Sequence, residues 1–233
     1  MKNRNSWILV CILTAAASLL LSHLGSKAVT TIAQNMPPER EHCIVIDAGH
    51  GGVDGGATSC TGILESTYNL DIALRLNDLF HLLGYDTKMI RTTDISVYTK
   101  GETIAQKKIS DLKERVRITN DTENALLISI HQNMFSDSQY SGAQVFYSPT
   151  EGSKLLAESL QLAFLQTINP GSHRQAKKSG GIYLMEHIRC PGILVECGFL
   201  SNPEEAVLLA STQYQQNVCC VIATAVSSYL SNT

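Results

Sequence analysis

Four side chains that could bind a metal or transfer a proton occupy related places in the sequence. The run Cys-Ile-Val-Ile leads into Asp-Ala-Gly-His50, Leu-Leu-Ile-Ser-Ile leads to His131, and Ile-Leu-Val leads to Glu196. Glu65 follows a glycine-rich loop and precedes the first predicted helix. Because the carboxyl ends of parallel strands meet at one edge of a sheet, we expect these four side chains to converge there.

Two imidazoles and a carboxylate, with a second carboxylate beside them, form a catalytic zinc set in which three protein ligands leave the fourth position for water. Each residue alone has a plainer interpretation: a histidine after a glycine loop more often forms hydrogen bonds, and a glutamate after a strand is commonly just solvated. Because we expect all four residues to lie close together at the carboxyl edge of the sheet, as a group they favour a metal site. The histidines that lack such placement are interpreted as surface or structural residues: His42, His81, His173 and His187.

Short β-branched runs alternate with longer helical patterns along the chain. This alternation predicts a single α/β domain with a mostly parallel central sheet covered by helices on both faces. The predicted strands are 43–46, 86–91, 125–130, 144–147, 181–185 and 193–195.

Apolar residues at helical spacing predict the helices. The first covers 70–83, with Gly84 as a left-handed stop, and a second is predicted to begin at Leu112. Further helices are expected at 155–168 and 214–229. Between them, Asn202-Pro203-Glu204-Glu205 predicts a helix start with an N-cap and a proline at the first helical position.

Composition limits the class of protein. The 233 residues are 44% hydrophobic and 17% charged, with a formal net charge of −3. This content suits one folded core and excludes disorder, collagen and a protein with several membrane spans. A nucleic-acid partner is not expected, because the chain carries more acidic than basic residues.

The N-terminal segment has the pattern of a bacterial export sequence. Lys2 and Arg4 precede an uncharged apolar stretch. Residues 1–28 are predicted to be a signal peptide or a membrane anchor: small residues near the end would allow cleavage, whereas the length of the stretch approaches the ~20 residues that span a bilayer. Residues 29–41 are predicted to be a linker, and 42–233 the catalytic domain that carries the four side chains.

Two other kinds of site are disfavoured. The seven cysteines contain no C-x-x-C pair, so their spacing predicts neither a zinc knuckle nor a disulfide framework. Cys197 follows Glu196 directly, but adjacent strand residues point to opposite faces and no histidine is predicted beside the thiol, so we interpret it as a packing residue. The absence of G-x-S-x-G disfavours a serine hydrolase.

From His42 to the C-terminus the chain resembles the zinc-dependent N-acetylmuramoyl-L-alanine amidases, the amidase_3 catalytic domain. The resemblance rests on four ordered motifs: Asp47-Ala48-Gly49-His50-Gly51-Gly52, Glu65, Ser129-Ile130-His131-Gln132-Asn133 and Val195-Glu196-Cys197-Gly198-Phe199-Leu200-Ser201-Asn202. It implies one zinc ion held by His50, Glu65 and His131, with Glu196 as the catalytic carboxylate. The implied reaction is hydrolysis of the amide bond between the lactyl group of N-acetylmuramic acid and L-alanine in peptidoglycan.

The resemblance also implies residues that support the site. Arg115 lies on a helix similar to one that supports the site in the family, and Asn133 closes the third motif; both are candidates for supporting contacts. A solvated helix charge is the alternative interpretation of Arg115. Many family members carry small residues where this chain has Met134 and Phe135, and we expect these bulky side chains to line or narrow the groove.

A compact domain behind an apolar segment, with Leu-Met-Glu-His-x-x-Cys-Pro at 184–191, is most similar to the sporulation amidases of endospore formers. That similarity implies a role in spore cortex maturation, muramic lactam formation and germination. A vegetative autolysin of the same chemistry, a catalytically silent peptidoglycan-binding scaffold and a zinc peptidase acting on stem peptides are the alternatives.

The expected location is outside the cytoplasm of a bacterium, membrane-associated or free, in the cell wall or the forespore intermembrane space. The expected partners are peptidoglycan, the membrane if the N-terminal segment is uncleaved, and an accessory exported protein that completes the site or aids zinc binding.

Overall fold

The computed structural model describes residues 42–232, so the predicted leader and the predicted linker lie outside the described residues. Six strands form one sheet in the order β2-β1-β3-β6-β4-β5. The strands β2, β1, β3 and β6 are parallel, β4 is antiparallel to β6, and β5 is parallel to β4. The strand bounds are β1 Cys43–Ala48, β2 Asp86–Met89, β3 Ala125–Asn133, β4 Gln144–Tyr147, β5 Lys177–Lys178 and β6 Gly192–Phe199.

Helices cover both faces of this sheet, which confirms the predicted fold class. Their bounds are α1 Glu65–Leu82, α2 Ile104–Asn120, α3 Ser153–Thr167, α4 Tyr183–His187, α5 Pro203–Leu209 and α6 Thr212–Leu230. The larger core lies under α1, α3 and α6, where α6 packs against both other helices. The smaller core lies on the opposite face, where α4 contacts α2 and β6. None of the helices in residues 42–232 combines the length and apolar character that a membrane crossing requires.

Two helix ends follow the local chemistry that the sequence predicts. Gly84 follows α1 with φ of 78°, a left-handed conformation that glycine adopts without steric cost. At α5, Asn202 accepts hydrogen bonds through Oδ1 from the backbone N–H groups of Glu204 (3.0 Å) and Glu205 (3.1 Å). Both predicted boundaries are confirmed.

The predicted start of α2 at Leu112 is wrong, because the helix begins at Ile104. A capping box formed by Thr103 and Gln106 fixes this start. Only Ser110, Arg115 and Thr119 are buried along the helix. The first turns therefore carry no apolar stripe that periodicity could detect.

The predicted strand 181–185 is also wrong. This segment forms the short helix α4, in which consecutive residues Leu184 and Met185 are both buried in the smaller core. Such burial differs from the alternation of a half-buried strand. The strand missed in its place, β5, has two exposed lysines and no apolar pattern.

The strands that carry the predicted site are longer at their carboxyl ends than expected. His131 and Glu196 lie within β3 and β6 and face each other in the register, rather than following the strands. The β3–β6 register shifts between His131 and Asn133. Strand β2 ends at Met89 instead of residue 91, and the side chain of Arg91 turns into the protein.

Candidate active site

His50 lies just after β1, in a segment that we call the metal-side loop (residues 47–56) and that includes the last two residues of β1. Its φ of 59° places it in the left-handed region, which is uncommon for a residue with a side chain. The ring nitrogen Nε2 lies 3.2 Å from Oε2 of Glu65, and Nδ1 lies 3.0 Å from Oδ2 of Asp54. Burial lowers the pKa of His50, but hydrogen bonds and charge from Glu65 and Asp54 outweigh it and raise the pKa overall.

Glu65 is the buried first residue of α1 and lies between the two histidines. Its Oε1 lies 3.0 Å from Nδ1 of His131 and accepts a hydrogen bond from the backbone N–H of Gln132 at 3.2 Å. Its Oε2 accepts from the backbone N–H of Ala57 at 3.1 Å. Burial raises the pKa of Glu65, but contacts with His131 and His50 lower it much further. The carboxylate is therefore held in its charged form.

Two glycines make room for these side chains. A Cβ atom at Gly49 would overlap the imidazole of His131. At Gly56, a Cβ atom would lie 2.6 Å from Oε2 of Glu65 and 2.8 Å from Cδ2 of His50, and φ there is 70°. Any other residue at either position would displace the imidazoles or the carboxylate.

The donor set fits a zinc ion. One ligand atom from each of His50, Glu65 and His131 lies within 4.8 Å of the other two. Two imidazoles and one carboxylate are the protein ligands of a common class of catalytic zinc site. Asp54 contacts the ring nitrogen of His50 that faces away from Glu65, as outer carboxylates do at metal-binding histidines.

Glu196 lies beside this trio. It faces His131 across the β3–β6 pairing and is partly exposed, but its Oε2 is buried without a hydrogen-bond partner in residues 42–232. Burial raises the pKa of Glu196 to about 7, and the charge of Glu65 adds to that effect while His131 and His50 oppose it. A carboxyl group of this kind can take up and release a proton near neutral pH.

Comparison with known proteins decides the family. Residues 44–228 match the Amidase_3 family model, described as N-acetylmuramoyl-L-alanine amidase. The chain belongs to this family. It is 38% identical to the germination-specific N-acetylmuramoyl-L-alanine amidase of Bacillus subtilis over 189 residues, which are 80% of this chain and 78% of that protein. The expected family and enzyme class are confirmed.

Two further proteins that the chain is similar to are also amidases. The LytC amidase of Bacillus subtilis is 31% identical over 210 residues, which cover 88% of this chain and 39% of LytC. The CwlD amidase of Clostridioides difficile, solved in complex with the GerS lipoprotein, has 36% sequence identity and a TM-score of 0.78. That match covers 82% of this chain and 99% of the CwlD chain.

In the amidase, Arg115 lies on α2 and is buried, so the alternative interpretation as a solvated helix charge is wrong. Its guanidinium contacts the carboxylates of Asp47 and Asp111. It also donates hydrogen bonds to the carbonyl oxygens of Ala48 (2.9 Å) and His50 (2.7 Å). Arg115 thus holds the backbone of the metal-side loop.

The other supporting candidate, Asn133, ends β3 two residues after His131. Its carbonyl oxygen accepts a hydrogen bond from the backbone N–H of Leu200 at 2.8 Å. This bond joins the end of β3 to the segment after β6. Asn133 thus lies at the same edge as the trio.

Sequence reasoning missed three residues that brace the site. Arg91 is buried and donates to the carbonyl oxygens of Ala48, Gly49 and Ser66 at 2.8, 3.0 and 2.9 Å. Asn69 donates to Gly49 and Glu65, and Asp54 contacts His50. The positions of Asp54 and Asn69, four residues after His50 and Glu65, were the available signals. Arg91 had none, because its partners are distant in sequence.

Cys197 is completely buried, and burial raises the pKa of its thiol well above the usual range. A buried thiol of this kind is unreactive. The interpretation as a packing residue is confirmed.

Proposed function

We propose that the amidase hydrolyses the bond between the lactyl group of N-acetylmuramic acid and L-alanine in peptidoglycan. The observation that carries this proposal is the His50, Glu65 and His131 trio with Glu196 beside it, one of whose carboxylate oxygens is buried and accepts no hydrogen bond from residues 42–232. These three residues would hold one zinc ion. When bound, zinc polarises a substrate carbonyl and lowers the pKa of water from about 15.7 to about 7.

The protein residues supply the rest of the chemistry. Asp54 orients the imidazole of His50, and Glu65 is fixed by backbone N–H groups, so the ligand atoms are held in place before substrate binds. Glu196 takes a proton from the attacking water and delivers it to the amine of L-alanine. This delivery is needed because an unprotonated amine is a poor leaving group.

The replacement Glu196→Gln tests this role. The variant is expected to bind zinc as the wild type does, while turnover on purified muropeptide falls by about 10²–10⁴-fold. Metal content is measured by mass spectrometry of the purified protein, and products are identified by mass. Glu204→Gln, an exposed glutamate on α5, is the matched control and should be fully active. Full activity of Glu196→Gln would show that Glu196 does not transfer the proton.

The fragments released from peptidoglycan also distinguish the amidase from the alternative functions. A scaffold would bind glycan strands without releasing peptide, and a stem peptidase would release fragments with L-alanine still attached to muramic acid. The proposed amidase releases peptides that begin with L-alanine.

We further propose that the amidase acts outside the cytoplasm on spore cortex peptidoglycan. Its likeness to a germination-specific amidase supports this role, and its likeness to LytC supports the vegetative autolysin as the second candidate. Expression in an endospore former that lacks its germination amidase distinguishes them. A cortex enzyme restores muramic lactam to the spore peptidoglycan, whereas a vegetative autolysin does not.

The domain boundaries and the accessory partner also belong to this proposal. Residues 1–28 would act as the export signal or anchor, 29–41 as the linker and 42–233 as the catalytic domain. Because the CwlD neighbour was solved with a lipoprotein, we infer that an accessory exported lipoprotein binds this amidase too. Co-expression of the amidase with the corresponding lipoprotein of its own organism, followed by size-exclusion chromatography, tests for the complex.

A further inference from the structure

A groove of about 1070 Å³ lies between the segment before β4 and the segment between α3 and β5. We call it the stem groove (residues 139–144 and 168–177). Among the described residues that line it there is no Asp or Glu, but there are three basic side chains: His173, Arg174 and Lys177. Although the chain as a whole is acidic, this surface is suited to an anionic ligand.

The stem groove begins next to the candidate active site. Gln144 lines the groove and faces Glu196 in the antiparallel pairing of β4 with β6. Neighbouring strands lie about 4.8 Å apart, so the groove opens one strand away from Glu196. A substrate chain that extends from the site across β4 would reach the groove.

The guanidinium of Arg174 is fixed in position by three groups. Its Nε donates to the carbonyl oxygen of Ser141 at 2.9 Å, and Nη1 donates to Oε1 of Gln144 at 3.4 Å. The guanidinium carbon lies 4.6 Å from the centroid of the Phe199 ring. Tyr140 stacks on the same ring at 6.3 Å. An arginine positioned in this way loses little further freedom when it binds a ligand.

Arg174 nevertheless forms no ion pair with a carboxylate in residues 42–232. Glu205 is near enough to interact with its charge, but both oxygens of Glu205 accept backbone N–H groups, from Gly142 and Phe199, at 2.8 Å. Arg174 is also only partly buried. It is therefore a fixed cation with donor groups open to a ligand.

We propose that the stem groove binds the peptide stem of peptidoglycan and that Arg174 takes a free carboxylate of that stem. This inference rests on the proposed amidase function. The amide under attack joins a glycan of N-acetylated sugars, which is uncharged there, to a peptide that carries free carboxylates. The cationic groove matches the peptide, and arginine binds carboxylates through paired, charge-assisted hydrogen bonds. Arg174 is thus a specificity-determining residue.

Two synthetic muropeptides that differ in one group test the proposal: the second stem residue carries either a free α-carboxylate or a carboxamide. For the wild type, kcat/KM should be about 10–100-fold higher for the carboxylate, since a hydrogen bond to a charged group contributes about 1.5–3 kcal/mol. In Arg174→Gln this ratio should fall to near one, mainly through KM. Arg174→Lys should retain part of the preference. Arg189→Gln removes an exposed arginine outside the groove and should keep the wild-type ratio.

A binding measurement complements the kinetics. Calorimetry with the free stem peptide should give a higher Kd for Arg174→Gln than for the wild type, and added salt should weaken wild-type binding. The proposal is overturned if the wild type shows no preference, if Arg174→Gln keeps the preference, or if that variant loses activity equally on both substrates. A wild type inactive on both would contradict the amidase function instead, and calorimetry would then decide on the groove alone.

Discussion

The metal-side loop and the stem groove use arginine in opposite ways. Arg115 and Arg91, which brace the loop from outside it, are buried and donate hydrogen bonds to main-chain carbonyl oxygens of residues 48–50, and Arg115 also pairs with Asp47. In the groove, Arg174 is partly exposed and has no ion pair within residues 42–232. The comparison indicates that the loop arginines fix the geometry of the metal ligands, whereas the groove arginine is available to substrate.

The largest expected effect is on the metal side. His131→Ala removes one of three zinc ligands, so bound zinc should fall to background. Activity should fall by far more than the roughly 10–100-fold that loss of an outer contact costs. Metal analysis and muropeptide turnover measure both effects. His173→Ala, in the stem groove, should keep its zinc. Equal zinc loss in the two variants would contradict the assignment of metal binding to His131 and its neighbours alone.

The next effect concerns stability. Arg115→Met leaves the carboxylate of Asp47 buried without its cation, and such a change costs about 3–5 kcal/mol. Arg117→Met, on the same helix, removes an exposed arginine that pairs with Glu114 and Asp121. This control should leave the free energy of unfolding nearly unchanged, because exposed ion pairs contribute little to stability.

Denaturant unfolding at one fixed zinc concentration measures both variants, because bound ligand adds to apparent stability. A small effect of Arg115→Met, similar to that of Arg117→Met, would show that the buried arginine does not hold the loop.

The sequence allowed the trio and Glu196 to be predicted because residues at the ends of parallel strands share one edge whatever the details of packing. It did not reveal that Arg91 braces the loop, since its partners at Ala48 and Gly49 lie far away in the chain. Apolar patterns also misled at 181–185, where Leu184 and Met185 pack as a helical turn. Periodicity thus predicts which face of a long element is buried, but not contacts made by loops or very short elements.

A smaller effect is expected at the outer contact of His50. Asp54→Asn removes the carboxylate charge beside Nδ1, so zinc affinity should fall by about 10–100-fold. Competition with a chelator of known affinity measures the change. Asp121→Asn, an exposed acid at the end of α2, is the control and should bind zinc as the wild type does. An unchanged affinity in Asp54→Asn would show that Asp54 does not act through His50.

The smallest expected effect is on the stability of a stem-groove variant, and it tests directly whether Arg174 has a structural role. Arg174→Gln removes a partly exposed guanidinium, its hydrogen bonds to Ser141 and Gln144 and the contact with the Phe199 ring. It leaves no buried carboxylate without a partner, because Glu205 keeps both of its backbone N–H donors. The free energy of unfolding should therefore fall by only about 1 kcal/mol. Denaturant unfolding of Arg174→Gln, measured in parallel with that of Arg115→Met, tests this prediction. A loss of unfolding free energy as large as that of Arg115→Met would mean that Arg174 also stabilises the fold and is not reserved for binding substrate.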